Sequence, residues 1–171
     1  MTPIPEQIGK YRIRSQLGSG AMGVVYLAHD EDLQRDVAIK VLARGEDDGR
    51  SASLRFINEA RLLAVLSNPH IVHIYDYAPG PPPFIAMEYV RGQSLRALLS
   101  ERGAQSAAVF SDCAAQLLDG LATAHEAGIL HRDIKPGNVL LSERGVFKLA
   151  DFGLARREED RGDLTSTGPP G

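Results

Sequence analysis

Apolar and polar positions alternate early in the chain, where Tyr11, Ile13 and Leu17 are separated by polar residues. This period-two pattern predicts a strand with one face covered. Val24-Val25-Tyr26-Leu27 is β-branched and aromatic, and Val37-Ala38-Ile39-Lys40-Val41-Leu42 is a short apolar run, so three consecutive antiparallel strands are expected. An acidic, glycine-containing loop over 45–49 follows. Ser51 or Ser53 then supplies a cap for a helix running to about Leu66, with Phe56, Glu59, Ala60, Leu63 and Leu66 on one face. Two further strands, near Ile71–Tyr77 and Phe84–Val90, flank the Pro/Gly-rich turn at 78–83. Residues 1–90 therefore predict a five-stranded antiparallel sheet with one helix.

The period then changes. Leu95–Leu99 reads as a short helix and Ser106–Ala127 as a long one ending near Gly128, which places a boundary at Arg91-Gly92. On the long helix Ser111, Asp112, Gln116, Asp119 and Thr123 make a narrow polar stripe, and a helix so apolar around the rest of its circumference calls for burial on more than one side. Val139-Leu140-Leu141 and Val146-Phe147-Lys148-Leu149 read as two short strands about the turn 142–145. The fold class is α+β.

That hairpin returns its ends to one place, so Asn138 and Asp151 should converge, with Asp133 just upstream. Two oxygen-donating side chains together suit a hard cation such as Mg²⁺, and a nearby carboxylate suits a proton acceptor; the combination points to phosphoryl transfer.

Composition narrows the partners. The 171 residues carry a formal charge of -3 with no basic tail, which gives no support to a nucleic-acid partner. Cys113 is the only cysteine, so neither an intrachain disulfide nor a cysteine-rich zinc site can form. No apolar run approaches the roughly 20 residues of a membrane span, and Met1–Glu6 lacks a signal-peptide pattern. The expected location is cytoplasmic, a reading that leaves open a membrane anchor encoded after Gly171.

Gly18-Ser19-Gly20-Ala21-Met22-Gly23-Val24-Val25 fits G-x-G-x-x-G-x-V. A dinucleotide-binding version would lead from strand into helix, whereas β-branched residues continue after Gly23, and no G-K-[ST] follows to make a P-loop. Glycines at a hairpin between strands allow backbone N–H groups to approach phosphate oxygens. Lys40 lies in an apolar strand, where an unpartnered ammonium would cost several kcal/mol. Glu59 is a carboxylate within an apolar helical stripe, and pairing the two resolves both problems.

Taken in order, the glycine loop, Lys40, Glu59, the run from His131 to Asn138 and Asp151-Phe152-Gly153 resemble the signature set of eukaryotic-type protein kinases. Lys135-Pro136 is similar to the serine/threonine-specific branch, and Gly137 to its bacterial members. The resemblance implies a five-stranded N-lobe with one helix over 1–90 and the beginning of a mainly helical C-lobe over 91–171. It implies ATP and Mg²⁺ as cofactors. Gly18, Gly20 and Gly23 would cover the phosphates, and the Lys40–Glu59 ion pair would position the lysine on them. Asp133 would accept the substrate proton, Lys135 would steady the transferred phosphate, and Asn138 and Asp151 would hold the metal. Val25 and Ala38 would roof the adenine and Leu140 floor it; Met87 would limit the pocket, and backbone groups from Glu88 to Val90 would bind the base. Leu63, Ile74, His131 and Phe152 match positions that stack across the lobes.

Thr165, Ser166 and Thr167 fall where the family has its activation loop, making Thr165 and Thr167 expected autophosphorylation sites with Arg132 as the phosphate's partner. Pro169 stands where a substrate-contacting threonine is usual. The chain stops before the family's later helices, so a C-terminally truncated catalytic domain is expected. Two functional readings follow. One is a serine/threonine kinase transferring the ATP γ-phosphoryl group to a protein hydroxyl, self-associating for autophosphorylation in trans. The other is a catalytically weak or inactive kinase-like module that binds ATP or a partner.

Overall fold

The computed structural model describes residues 4–20, 23–42, 56–58 and 60–152. Glu59, the cap candidates Ser51 and Ser53, the loop at 45–49, Gly153 and the threonines of the expected activation loop lie outside the described residues.

Among the described residues six antiparallel strands form the first sheet: β1 (Gln7–Ile8), β2 (Tyr11–Gly20), β3 (Gly23–Asp30), β4 (Arg35–Leu42), β5 (Ile74–Ala78) and β6 (Phe84–Glu88), in the order β1-β2-β3-β4-β6-β5. Six replace the predicted five because β1 pairs two residues with β2, too few for any periodicity to show. The strand predicted from Ile71 begins instead at Ile74. Ile71 makes an isolated parallel bridge to Leu149, and Val72 N donates to Leu149 O at 2.9 Å, so residues 71–72 serve the second sheet.

Alternation along β4 sorts its side chains onto two faces. Val37 and Ile39 pack with Ile8, Tyr11, Ala28, Phe84 and Ala86 into one core. Ala38 and Lys40 face the other way. Helix α1, helical at 56–58 and 60–63, covers that side. Its Phe56, Ala60 and Leu63, with Leu66 beyond its end, are buried in a second core with Ile74, Ile85, Val139, Phe147, Leu149 and Phe152.

After Arg91 the chain forms β7 (Gly92–Ser94), which pairs with β8 (Val139–Ser142), and β8 pairs with β9 (Phe147–Leu149) in a three-stranded sheet. Helix α2 (Leu95–Arg102) starts at Ser94, whose Oγ accepts Ala97 N–H at 3.2 Å, and stops at Gly103 (φ 69°). Helix α3 (Ala107–Glu126) is capped by Ser106 and followed by Gly128 at φ 73°. Contrary to the burial on more than one side expected of it, α3 buries only Cys113, Gly120 and Ala124, and its polar stripe stays at the surface except for the half-buried Gln116 and Thr123. Gln116 Oε1 accepts Phe147 N–H at 2.8 Å, and Asn68 Nδ2 donates to Asp119 and Thr123 at 2.8 Å. Cys113 and Ala124 are buried, whereas Phe110 and Leu118 are exposed.

Candidate active site

Strand register assembles one wall. Lys40 lies opposite Val25 on β3 and Ile85 on β6, Ala38 lies opposite Met87, and Val25 lies opposite Gly18. Residues opposite one another share a face. Gly18, Val25, Ala38, Lys40 and Met87 therefore stand on the same side of the first sheet. Gly20 pairs with Gly23 at the end of that hairpin, as the glycine pattern predicts; the intervening residues 21 and 22 lie outside the described set.

Lys40 is the pivot. The residue is 4% exposed and its ammonium sits 2.6 Å from Asp151 Oδ1, an ion pair between residues 111 positions apart. Asp151 is held at φ 52°, in the left-handed region that non-glycine residues seldom occupy. Such a conformation persists only when its surroundings over-determine it. They do so here: Ala150 N donates to Asn138 O at 2.8 Å on one side, and Phe152 is buried against His131 on the other. The partner expected for Lys40 was Glu59, which lies outside the described residues; among those described the ammonium pairs with Asp151 instead.

The 3₁₀ turn Pro136–Asn138 leads directly into β8. Asn138 is buried, and its Nδ2 donates to Asp133 O at 2.9 Å and to Asp133 Oδ2 at 3.0 Å. Lys135 Nζ is 2.6 Å from the same Oδ2. With its nitrogen committed to Asp133, the Asn138 amide keeps its oxygen for another partner. Val139 pairs with Leu149, so the hairpin sets Asn138 and Asp151 at its two open ends. An amide oxygen and a carboxylate are hard donors of the kind that bind Mg²⁺, which usually uses one or two carboxylates plus substrate phosphates. No three His, Cys, Asp or Glu side chains gather to hold a metal among the described residues, and this smaller donor set fits such a shared ion.

His131 anchors the loop. Asp133 N is 3.3 Å from its Nδ1, and its Nε2 is 3.1 Å from Ala150 O; together these require the Nε2–H tautomer. Burial pushes the imidazole pKa below its ordinary value, against the opposing pull of the Ala150 hydrogen bond and the nearby Asp133 and Asp151 charges. Its ring stacks on Phe152 with centroids 4.4 Å apart. Leu63, Ile74 and Phe152 line one apolar cavity with Met87 and Asp151.

Two placements were not legible in advance. The Glu88 side chain, opposite Val37, faces away from Lys40 and meets Lys148 Nζ at 2.9 Å, also accepting His73 N–H at 3.3 Å. Its backbone N–H is donated to His73 O at 2.8 Å. Leu140 pairs with Lys148 and so shares the face of β8 that reaches toward Glu88, while Val90 follows at the exit from β6. Arg96 is the second. Its guanidinium lies on Gly137, with no motif around it to announce the contact.

The profile of the protein kinase domain matches residues 11–168. The chain belongs to the protein kinase family. It is 44% identical over 165 residues to a probable serine/threonine-protein kinase, pknA2, of Bifidobacterium longum, covering 94% of this chain and 22% of that protein. It is 38% identical to the serine/threonine-protein kinase PknB of Mycobacterium leprae, covering 98% of this chain and 28% of that one. Among solved structures, the PknI kinase domain of Mycobacterium tuberculosis superposes with a TM-score of 0.74 at 30% identity, covering 91% of this chain and 64% of that domain. The chain thus spans about a quarter of the curated relatives' length, and its kinase fold agrees with the fold class read from the sequence.

Proposed function

We propose that this chain carries the nucleotide and phosphoryl-transfer site of a serine/threonine protein kinase, which moves the γ-phosphoryl group of Mg-ATP to a protein hydroxyl. One observation carries the reading: Lys40 on the first sheet pairs with Asp151, Asn138 and Lys135 converge on the Asp133 carboxylate, and the Ala150 N–H bond to Asn138 O joins the two groups. Burying the Lys40 ammonium beside this group is costly unless it is paired, and such an arrangement is characteristic of a functional site.

In this reading Asn138 and Asp151 hold the Mg²⁺, which supplies charge neutralisation on the phosphates. Lys40, on the wall beneath the Gly18–Gly23 hairpin, binds phosphate oxygens and holds the Asp151 carboxylate in place. The substrate hydroxyl donates its proton to the Asp133 carboxylate. Lys135, already bonded to that carboxylate, stabilises charge on the group in transit. The adenine lies against Val25 and Ala38 above and Leu140 below, reading backbone groups between Glu88 and Val90. Phosphoryl transfer asks little covalent chemistry of the protein, so positioning supplies most of the acceleration.

The test is transfer of radiolabel from ATP to a generic protein substrate by the wild-type chain, Lys40→Met and Asp133→Asn. Each substitution should lower transfer by about 10²-fold or more. Wild-type transfer unaffected by either change overturns the mechanism. Thermal stabilisation by ATP without any transfer favours the nucleotide-binding module instead.

A further inference from the structure

Arg96 is out of place by the rules of helix stability. It lies in the first turn of α2, where the helix dipole disfavours a cation, and no acidic residue shares that turn. No carboxylate forms an ion pair with it among the described residues, and it is exposed. Yet its position is specific. A Cβ added at Gly137 would meet Arg96 Nε at 3.4 Å, a terminal nitrogen at 3.5 Å and the guanidinium carbon at 3.6 Å. The guanidinium therefore lies over Gly137, within van der Waals reach of the loop that carries Asp133. A local rule broken without a stabilising return is where a functional role is to be sought.

Distance ties the cation to the chemistry. Gly137 precedes Asn138, whose amide nitrogen is 3.0 Å from Asp133 Oδ2. With about 3.8 Å between consecutive Cα atoms, the guanidinium stands within roughly 15 Å of that carboxylate. An extended substrate advances about 3.3–3.6 Å per residue, so Arg96 reaches a side chain roughly two to four positions from the acceptor hydroxyl. The neighbouring charges do not cancel it. Asp133 is bonded to Lys135 and Asp151 to Lys40, while Arg132 adds another exposed cation to the same loop.

We infer that Arg96 is a specificity-determining residue that selects protein substrates bearing an Asp or Glu side chain near the phosphorylated hydroxyl. The inference rests on the kinase reading and names the substrate class of that site. A planar guanidinium offers a carboxylate two parallel hydrogen bonds, and a basic side chain in the same position meets like charge.

The experiment uses the full chain with two serine peptides that differ only in flanking residues, three glutamates against three lysines. Wild type should phosphorylate the acidic peptide with kcat/KM about tenfold higher, the difference lying in KM. Arg96→Lys should keep most of this preference and Arg96→Glu should invert it, a gain that a merely structural role would not produce. Wild-type preference retained in Arg96→Glu overturns the inference. Anisotropy of the labelled peptides without ATP separates this outcome from failure of the kinase reading. If no peptide is phosphorylated that reading falls, yet tighter binding of the acidic peptide, lost in Arg96→Glu, still supports the selective cation. Equal binding of both peptides, or binding of neither, overturns it.

Discussion

At the residue scale the chain signals its chemistry where a side chain contradicts its surroundings. Lys40 is a charge in an apolar strand, which announces a carboxylate partner but not that Asp151 is one. Asn138 and Asp151 were placed together by hairpin geometry alone. Glu88 and Arg96 gave no such warning, because their roles depend on which way a side chain turns once register is set. His131 leads to a pH prediction. Burial lowers its pKa in the folded state, so below the unfolded value of about 6.5 the unfolded chain binds the extra proton and the folded one resists it. Its contribution is therefore complete above that pH and is lost as the pH falls through the lower folded value. His131→Phe keeps an aromatic ring against Phe152 but removes the titration. Urea midpoints measured from pH 7.5 to 5 should fall less steeply for the variant than for wild type. A parallel decline would mean that other groups govern acid sensitivity.

Elements were legible in proportion to their length and periodicity. Helix α3 was read to within one residue at each end, since Ser106 and Gly128 mark both termini. Strand β7 was not read, because Gly-Gln-Ser carries neither alternation nor β-branching, and only β8 makes it a strand. Gly92 is the condition for that pairing. It holds φ 153°, and an added Cβ would lie 2.0 Å from Leu141 O, a backbone atom with no freedom to yield. Gly92→Ala should destabilise the chain by about 2–4 kcal/mol, whereas Ser106→Ala, which removes only a cap, should cost about 1 kcal/mol. Chemical denaturation of the two variants checks the ranking. Equal losses would show that β7 can detach from β8 without consequence.

At the scale of the whole molecule the two sheets must be held at one spacing, because Lys40 stands on the first while Asn138 and Asp151 flank the β8–β9 hairpin of the second. Among the described residues three ties do this: Lys40 to Asp151, residues 71–72 to Leu149, and Glu88 to Lys148. The last was invisible in the sequence, since Glu88 reads there through its backbone, as part of the base-binding segment, and Lys148 as one polar residue in an apolar run. Its side chains are 25% and 14% exposed, so neither charge is well solvated. Removing one therefore strands the other. Lys148→Met leaves the Glu88 carboxylate with the His73 N–H among its described partners. It should lower stability by about 1–3 kcal/mol. Glu88→Gln with Lys148→Met in one chain removes the stranded charge and should recover part of that loss, giving a coupling that distant, independent sites do not show. Strict additivity of the two single changes in thermal or urea melts would mean that this pair does not join the sheets, leaving their spacing to Lys40 and the bridge at Leu149.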